Sequence, residues 1–118
     1  MWKKHLNVLV DIQNKDWGSY VTAQQKLEFE MAAAGWIGDY LDPTTFLNMW
    51  TKGNGNNNTG WSDARYEDLL REAALQSDQA KRLELFRQAE HLLMDAQPIV
   101  PISHYARVYL HRPEVKGW

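Results

Sequence analysis

The residues with the clearest chemical potential lie in one stretch, Gly-Trp-Ile-Gly-Asp-Tyr-Leu-Asp-Pro-Thr-Thr-Phe at positions 35–46. Asp39 is a carboxylate among large aromatic side chains, and such a group needs a cation or several N–H donors to stay charged when it is shielded from water. A ligand amine would serve as that cation through a charge-assisted hydrogen bond. The alternative is that Asp39 caps a turn or pairs with a lysine or arginine of the chain.

Two aromatic residues are candidates for the walls of a binding pocket. Trp36 and Tyr105 each combine a broad apolar ring with one polar group. Filling the core is the alternative for both, and in a chain with six tryptophans it is the simpler explanation of Trp36. Asp42 has a different expected role, because Asp followed by Pro43 predicts a helix start with the Asp capping free N–H groups.

The other reactive residue types argue against an enzyme. The four histidines (His5, His91, His104 and His111) do not have the spacing of metal ligands, so we predict no metal site. The chain has no cysteine, and no serine stands in a strained nucleophile turn. Asp39 and Asp42 could be imagined as an acid–base pair, but they straddle a turn and need not face one another. We therefore predict a non-enzymatic protein without a cofactor.

Length and charge point to one ordinary domain. The chain has 118 residues, of which 44% are hydrophobic, and this is enough apolar mass for a single core. The net charge is −2 with acids and bases interspersed, so no nucleic-acid partner is predicted. No apolar run is long enough to suggest a membrane span, and no secretory signal is visible within the chain.

Three segments have the apolar patterns of β-strands. Residues 6–13 alternate between apolar and polar side chains, as a strand with one buried face would. Residues 29–36 carry a run of small apolar side chains, which favours a strand covered on both faces, although their alanines also allow a helix. Residues 99–110 predict one or two more strands, and Pro101 places the first of them at an edge or a kink.

The remaining apolar residues have helical spacing. They predict helices at residues 17–26, capped by Asp16, and at residues 43–50. A polar loop at residues 51–60 leads to a third helix that begins at Ser62 or Asp63, and Ser77-Asp78 then breaks it and caps a fourth helix that ends before Pro98. The last two form an αα-hairpin at residues 66–96. Its predicted inner faces are Tyr66, Leu69, Leu70, Ala73 and Ala74 on one helix and Leu83, Phe86 and Leu93 on the other, flanked by Leu85, Ala89 and Leu92.

A strand, a helix and a second strand within the first 36 residues predict a βαβ unit with parallel strands. Ligands of open α/β sheets usually bind beyond the carboxyl ends of the strands, and the loop with Gly38 and Asp39 would lie there. The predicted fold class is therefore α/β, with a βαβ unit followed by helices and C-terminal strands.

Three motifs together resemble the oligopeptide- and dipeptide-binding proteins of bacterial ABC importers, family 5 of the extracellular solute-binding proteins. They are Gly-Trp-x-x-Asp-Tyr-x-Asp-Pro-x-x-Phe-Leu at positions 35–47, Asn-Asn-Asn-Thr-Gly-Trp at 56–61 with the helix pair after it, and Ile-Val-Pro-Ile at 99–102. The resemblance spans essentially all 118 residues. Family members are several times longer, so residues 1–118 resemble a single fragment, the C-terminal part of the second lobe of a two-lobed, periplasmic-binding-protein-like fold.

The resemblance implies a receptor that closes around a peptide. Asp39 matches the position that takes the peptide's α-amino group, and the backbone from Gly35 to Ile37 matches the segment that pairs with the peptide main chain like an added strand. Trp36 and Tyr105 match positions that line the site. Relatives in the family bind nickel complexes, haem or sugars, so the resemblance favours a peptide without restricting the ligand to one.

The implied partners are an oligopeptide and, through the full-length parent, the permease of an ABC transporter. That parent would be periplasmic or lipid-anchored at the cell surface. Bare strand edges in a partial lobe also predict a homodimer. An alternative from a different class is a stand-alone interaction module, in which the helical hairpin and edge strands dock a protein, no small ligand binds, and Asp39 is only a turn residue.

Overall fold

The computed structural model of the chain describes residues 2–106 and 108–117. Within these ranges it contains α1 (Trp2–Leu6), α2 (Trp17–Gln25), α3 (Thr44–Leu47), a 3₁₀ helix (Asn48–Trp50), α4 (Ala64–Leu75) and α5 (Gln79–Ala96). None of these helices has both the length and the apolar character needed to cross a membrane.

The predicted starts of α2, α4 and α5 are confirmed, and a local side-chain cap fixes each of these three. The Asp16 carboxylate accepts the Ser19 N–H at 3.1 Å at the start of α2. Asp63 accepts the Tyr66 N–H at 2.8 Å at the start of α4. Asp78 accepts two N–H groups in the first turn of α5. Each carboxylate satisfies donors that a helix start leaves without an intrahelical partner.

The core lies between α4 and α5, which form the predicted αα-hairpin, and α3 contributes to it. Most of the predicted inner residues are buried, whereas Ala74 is exposed and Leu83 is 48% exposed. The buried apolar cluster consists of Leu47, Tyr66, Leu69, Leu70, Ala73, Phe86, Ala89 and Leu93.

The hydroxyl of Tyr66 joins the hairpin to α3. This side chain is fully buried, and its hydroxyl donates to the carbonyl oxygen of Leu47 at 2.6 Å. Burial, with a smaller contribution from the negative charge of Glu90, raises the pKa of Tyr66 well above its usual value. The phenol therefore stays a neutral donor, and it holds the end of α3 against α4.

The predicted βαβ unit and C-terminal strands are wrong for the described residues, which contain no strand. Leu6 belongs to α1, and residues 7–13, 29–36, 99–106 and 108–110 have no regular secondary structure. Arg107, inside the last predicted segment, lies outside the described residues. A strand needs a neighbour about 4.8 Å away to complete its backbone hydrogen bonds, and no described segment supplies one. Apolar side chains of these segments therefore remain exposed, as at Ile12 (82%) and Ile102 (83%).

Candidate functional site

The segment that carries Asp39 is held against the start of α3 by one residue, Thr45. The Thr45 hydroxyl accepts the backbone N–H of Asp39 at 2.9 Å, and the Thr45 carbonyl accepts the indole N–H of Trp36 at 2.9 Å. A Cβ atom at Gly38 would lie 3.2 Å from the Thr45 methyl carbon and 3.1 Å from the Phe46 ring. The absence of a side chain at Gly38 thus lets the segment lie this close to α3.

Asp39 is exposed, and no described residue forms a hydrogen bond or an ion pair with its carboxylate. The alternative role for Asp39 is not seen in the described residues, because its carboxylate caps no turn and pairs with no lysine or arginine. A carboxylate in this state can accept a hydrogen bond from an incoming cation without first breaking an internal bond.

Asp42, only three residues away, is fully engaged. Its two oxygens accept from the two terminal nitrogens of Arg82, at 2.8 and 3.0 Å, and one of them also accepts from the N–H and hydroxyl of Thr44. The hydrogen bond from Arg82, followed by those from Thr44, holds the pKa of Asp42 well below its usual range. The predicted capping role of Asp42 is confirmed, since it satisfies the first free N–H of α3. The Arg82 guanidinium also lies 4.6 Å from the centre of the Phe86 ring.

Trp36 and Ile37 differ in what they present to solvent. Trp36 is half-buried and its indole N–H is bonded to Thr45, so its side chain can offer a ligand only the apolar ring. Ile37 is 68% exposed. Among the described residues, no hydrogen bond occupies the backbone N–H or C=O groups of residues 35–37. This backbone is therefore able to pair with another extended chain.

Tyr105 lies against the backbone of Gly35. The resemblance implies that both residues belong to the ligand site. A Cβ atom at Gly35 would be 2.9 Å from a ring carbon of Tyr105, so a side chain at position 35 would require the phenol ring to shift. Tyr105 is itself 78% exposed. Before Gly35 in the chain, the Ala33 carbonyl accepts from the Tyr20 hydroxyl at 2.7 Å, and this bond connects the segment to α2.

The structure adds two residues that the sequence did not single out, Thr45 and Arg82. Thr45 lies inside the recognised motif, but at a position the motif leaves unspecified. Arg82 is forty residues from Asp42, and no local pattern relates them. The described residues also contain no group of three or more potential metal ligands.

Three curated relatives match the chain over nearly its whole length. It is 35% identical over 118 residues to the oligopeptide-binding protein OppA of Bacillus subtilis, covering 99% of this chain. It is 36% identical over 115 residues to the dipeptide-binding protein DppE of the same organism and 34% identical over 118 residues to the periplasmic murein peptide-binding protein MppA of Escherichia coli, covering 98% and 100% of this chain. The chain spans only 21–22% of the length of these relatives.

Solved structures give the same result. The unliganded open form of the murein tripeptide-binding protein MppA superposes with a TM-score of 0.79 and 32% identity, over 82% of this chain and 19% of that one. A second MppA structure, from Escherichia coli, gives a TM-score of 0.76 over the same shares. No protein-family model matches the chain. The chain is thus similar over nearly its whole length to the C-terminal portion of the bacterial oligopeptide- and dipeptide-binding proteins.

Proposed function

We propose that this chain is the part of a peptide-binding receptor that receives the peptide's amino terminus, with Asp39 as the acceptor of the α-ammonium group. The observation that carries the proposal is the contrast between two neighbouring carboxylates. Asp42 is saturated by Arg82 and Thr44, whereas Asp39 is exposed with no partner among the described residues. A carboxylate kept free in a turn tied down by hydrogen bonds suits a cationic ligand.

The backbone next to Asp39 supplies the second half of the site. The N–H and C=O groups of residues 35–37 have no partner among the described residues, so a peptide could add to them as a strand does. Binding through main-chain groups makes little demand on the peptide's side chains. Trp36 and Tyr105 would line the path on either side of Gly35 and contribute apolar surface.

The homologues support a transport role for the whole receptor. Their names describe oligopeptide-, dipeptide- and murein peptide-binding proteins, several of them periplasmic. We accordingly assign this chain to the second lobe of a non-enzymatic periplasmic or cell-surface receptor that delivers peptides to the permease of an ABC importer. The names of these homologues do not favour the alternative of a stand-alone interaction module. The predicted homodimer depended on strand edges that the described residues do not form, and no comparison supports it.

The test is the substitution Asp39→Asn in a complete receptor, made by replacing the homologous segment of Bacillus subtilis OppA with this chain. Isothermal titration would compare a tripeptide with its N-acetylated form. We expect the original chimera to prefer the free amine, and Asp39→Asn to weaken binding of that peptide by about thirtyfold or more, as for a desolvated charge pair.

Asp95→Asn is the matched control, because it makes the same change of charge at an exposed site on α5. It should leave both affinities unchanged. Equal affinity of the original chimera for the free and acetylated peptides would refute the role of Asp39, and so would an Asp39→Asn variant that binds the tripeptide as tightly as the Asp95→Asn control.

A further inference from the structure

Thr45 has an unusual environment for a polar residue. It is only 5% exposed, and it is the one buried polar residue in the described parts of the chain. Its hydroxyl accepts from the Asp39 backbone and its carbonyl accepts from the Trp36 indole, while its methyl carbon lies 3.2 Å from where a Cβ atom of residue 38 would be. A buried hydroxyl usually needs a hydrogen-bonding partner to offset its desolvation, and here that partner is the Asp39 backbone.

The bond between the Thr45 hydroxyl and the Asp39 N–H is the only hydrogen bond that Asp39 makes among the described residues. The exposed carboxylate forms no hydrogen bond or ion pair with the described residues, so its position depends on the backbone that carries it. Without the bond, the backbone at Asp39 would gain conformational freedom, and ordering it again on binding would cost affinity.

Thr45 is itself firmly placed because α3 is attached to the hairpin at two points. At one end, Asp42 forms a bidentate ion pair with Arg82 of α5. At the other, Leu47 accepts the buried hydroxyl of Tyr66 of α4. Asp39 is therefore connected to the hydrophobic core through α3, a helix of only four residues.

We propose that Thr45 is the positioning residue of the amine-binding carboxylate, holding Asp39 in the orientation that distinguishes a free amino terminus from a blocked one. This inference rests on the proposed role of Asp39. It predicts that losing the Thr45 hydroxyl reduces discrimination between the two peptide forms, although Thr45 itself touches no ligand.

Two matched pairs of variants separate the hydroxyl from the packing of the side chain. Thr45→Val keeps the shape of threonine and removes its acceptor. Thr45→Ser and Thr45→Ala both lack the methyl group that lies near Gly38, and only the serine keeps the oxygen. The second pair gives the same comparison in a smaller side chain, so the test survives if the valine variant fails to fold.

The affinity ratio for a free against an N-acetylated tripeptide would be measured in the OppA chimera. We expect the ratio to fall by about tenfold in Thr45→Val, and by about tenfold in Thr45→Ala relative to Thr45→Ser, the effect of one lost hydrogen bond. Hydrogen exchange of the Asp39 amide in the 118-residue chain provides a readout without peptide. It should lose protection in Thr45→Val and Thr45→Ala and keep it in Thr45→Ser.

The outcomes distinguish this inference from the proposed function. If the original chimera discriminates between the peptides and Thr45→Val and Thr45→Ala discriminate as well as the original and Thr45→Ser, Thr45 does not position Asp39. If the Asp39 amide exchanges equally in all variants, the bond is not formed in solution and the inference fails. If the original chimera does not discriminate at all, the failure lies with Asp39 and its proposed function, and the inference falls with it.

Discussion

The substitution Tyr66→Phe tests whether the hairpin and α3 form one cooperative unit. Phenylalanine fills the same volume, so the change removes only the hydroxyl that donates to Leu47 at 2.6 Å. Both residues are buried, and the Leu47 carbonyl would be left without this donor in a site that water does not readily reach. Leaving a buried acceptor unsatisfied costs about 1–3 kcal/mol, and we expect a loss of unfolding free energy in that range.

Urea denaturation of the 118-residue chain, followed by circular dichroism at the helical band, measures this loss. Tyr40→Phe is the matched control: Tyr40 is 54% exposed, and its hydroxyl lies 3.2 Å from the Thr44 hydroxyl, its one hydrogen-bonding partner among the described residues. Removing it should change stability by less than about 0.5 kcal/mol, as at most surface positions. If Tyr66→Phe were as stable as Tyr40→Phe, the proposed attachment of α3 to the hairpin would be refuted.

The same residue predicts an alkaline limit to stability. Burial raises the pKa of Tyr66 above its ordinary value of 10.0, so the unfolded chain releases this proton at a lower pH than the folded chain does. The stability that the neutral Tyr66 phenol contributes is fully present below pH 10.0. It is lost as the pH rises beyond that value, because deprotonation then favours unfolding. Tyr66→Phe should unfold with a smaller dependence on pH in this range, and a slope equal to that of the original chain would contradict the buried, neutral phenol.

Two further predictions concern Asp42, at the start of α3, and Gly60, in the loop before α4. Asp42→Asn should remove part of the acid sensitivity of the chain: Arg82 lowers the pKa of Asp42 in the folded state, so this stabilisation is present above the ordinary pKa of 3.8 and is lost as the pH falls below it. Acid unfolding followed by circular dichroism would show it, and an unchanged acid limb would contradict the ion pair. Gly60→Ala should destabilise the chain by about 1–2 kcal/mol in urea denaturation, because Gly60 has a φ of 73° and a Cβ there would lie 3.0 Å from Leu27. Gly55→Ala, where a Cβ meets nothing within 4 Å, is its control, and equal effects of the two substitutions would show that the left-handed conformation is not required.

Short-range features of the fold were predictable because their causes lie within a few residues of one another. The caps at Asp16, Asp63 and Asp78 act on N–H groups two or three positions ahead. The helical spacing of Leu69, Ala73 and other apolar residues likewise indicated which faces would pack. The strands failed for the opposite reason, since a strand is completed by a neighbour that may lie far away in the sequence, and an alternating pattern records only the preference for one.

The candidate site likewise has features that the local sequence predicted and others that depend on distant segments. The sequence by itself marked the motif around Asp39 and the helix start at Asp42. Only the tertiary structure decided which of the two carboxylates is free, because the arginine that engages Asp42 comes from α5, forty residues away. It also decided that Thr45 would hold Asp39 and Trp36 together, since the contacts of a hydroxyl depend on how the chain folds back over it. Residue types state what a group can bind, and the packing of distant segments determines which group is left available to do so.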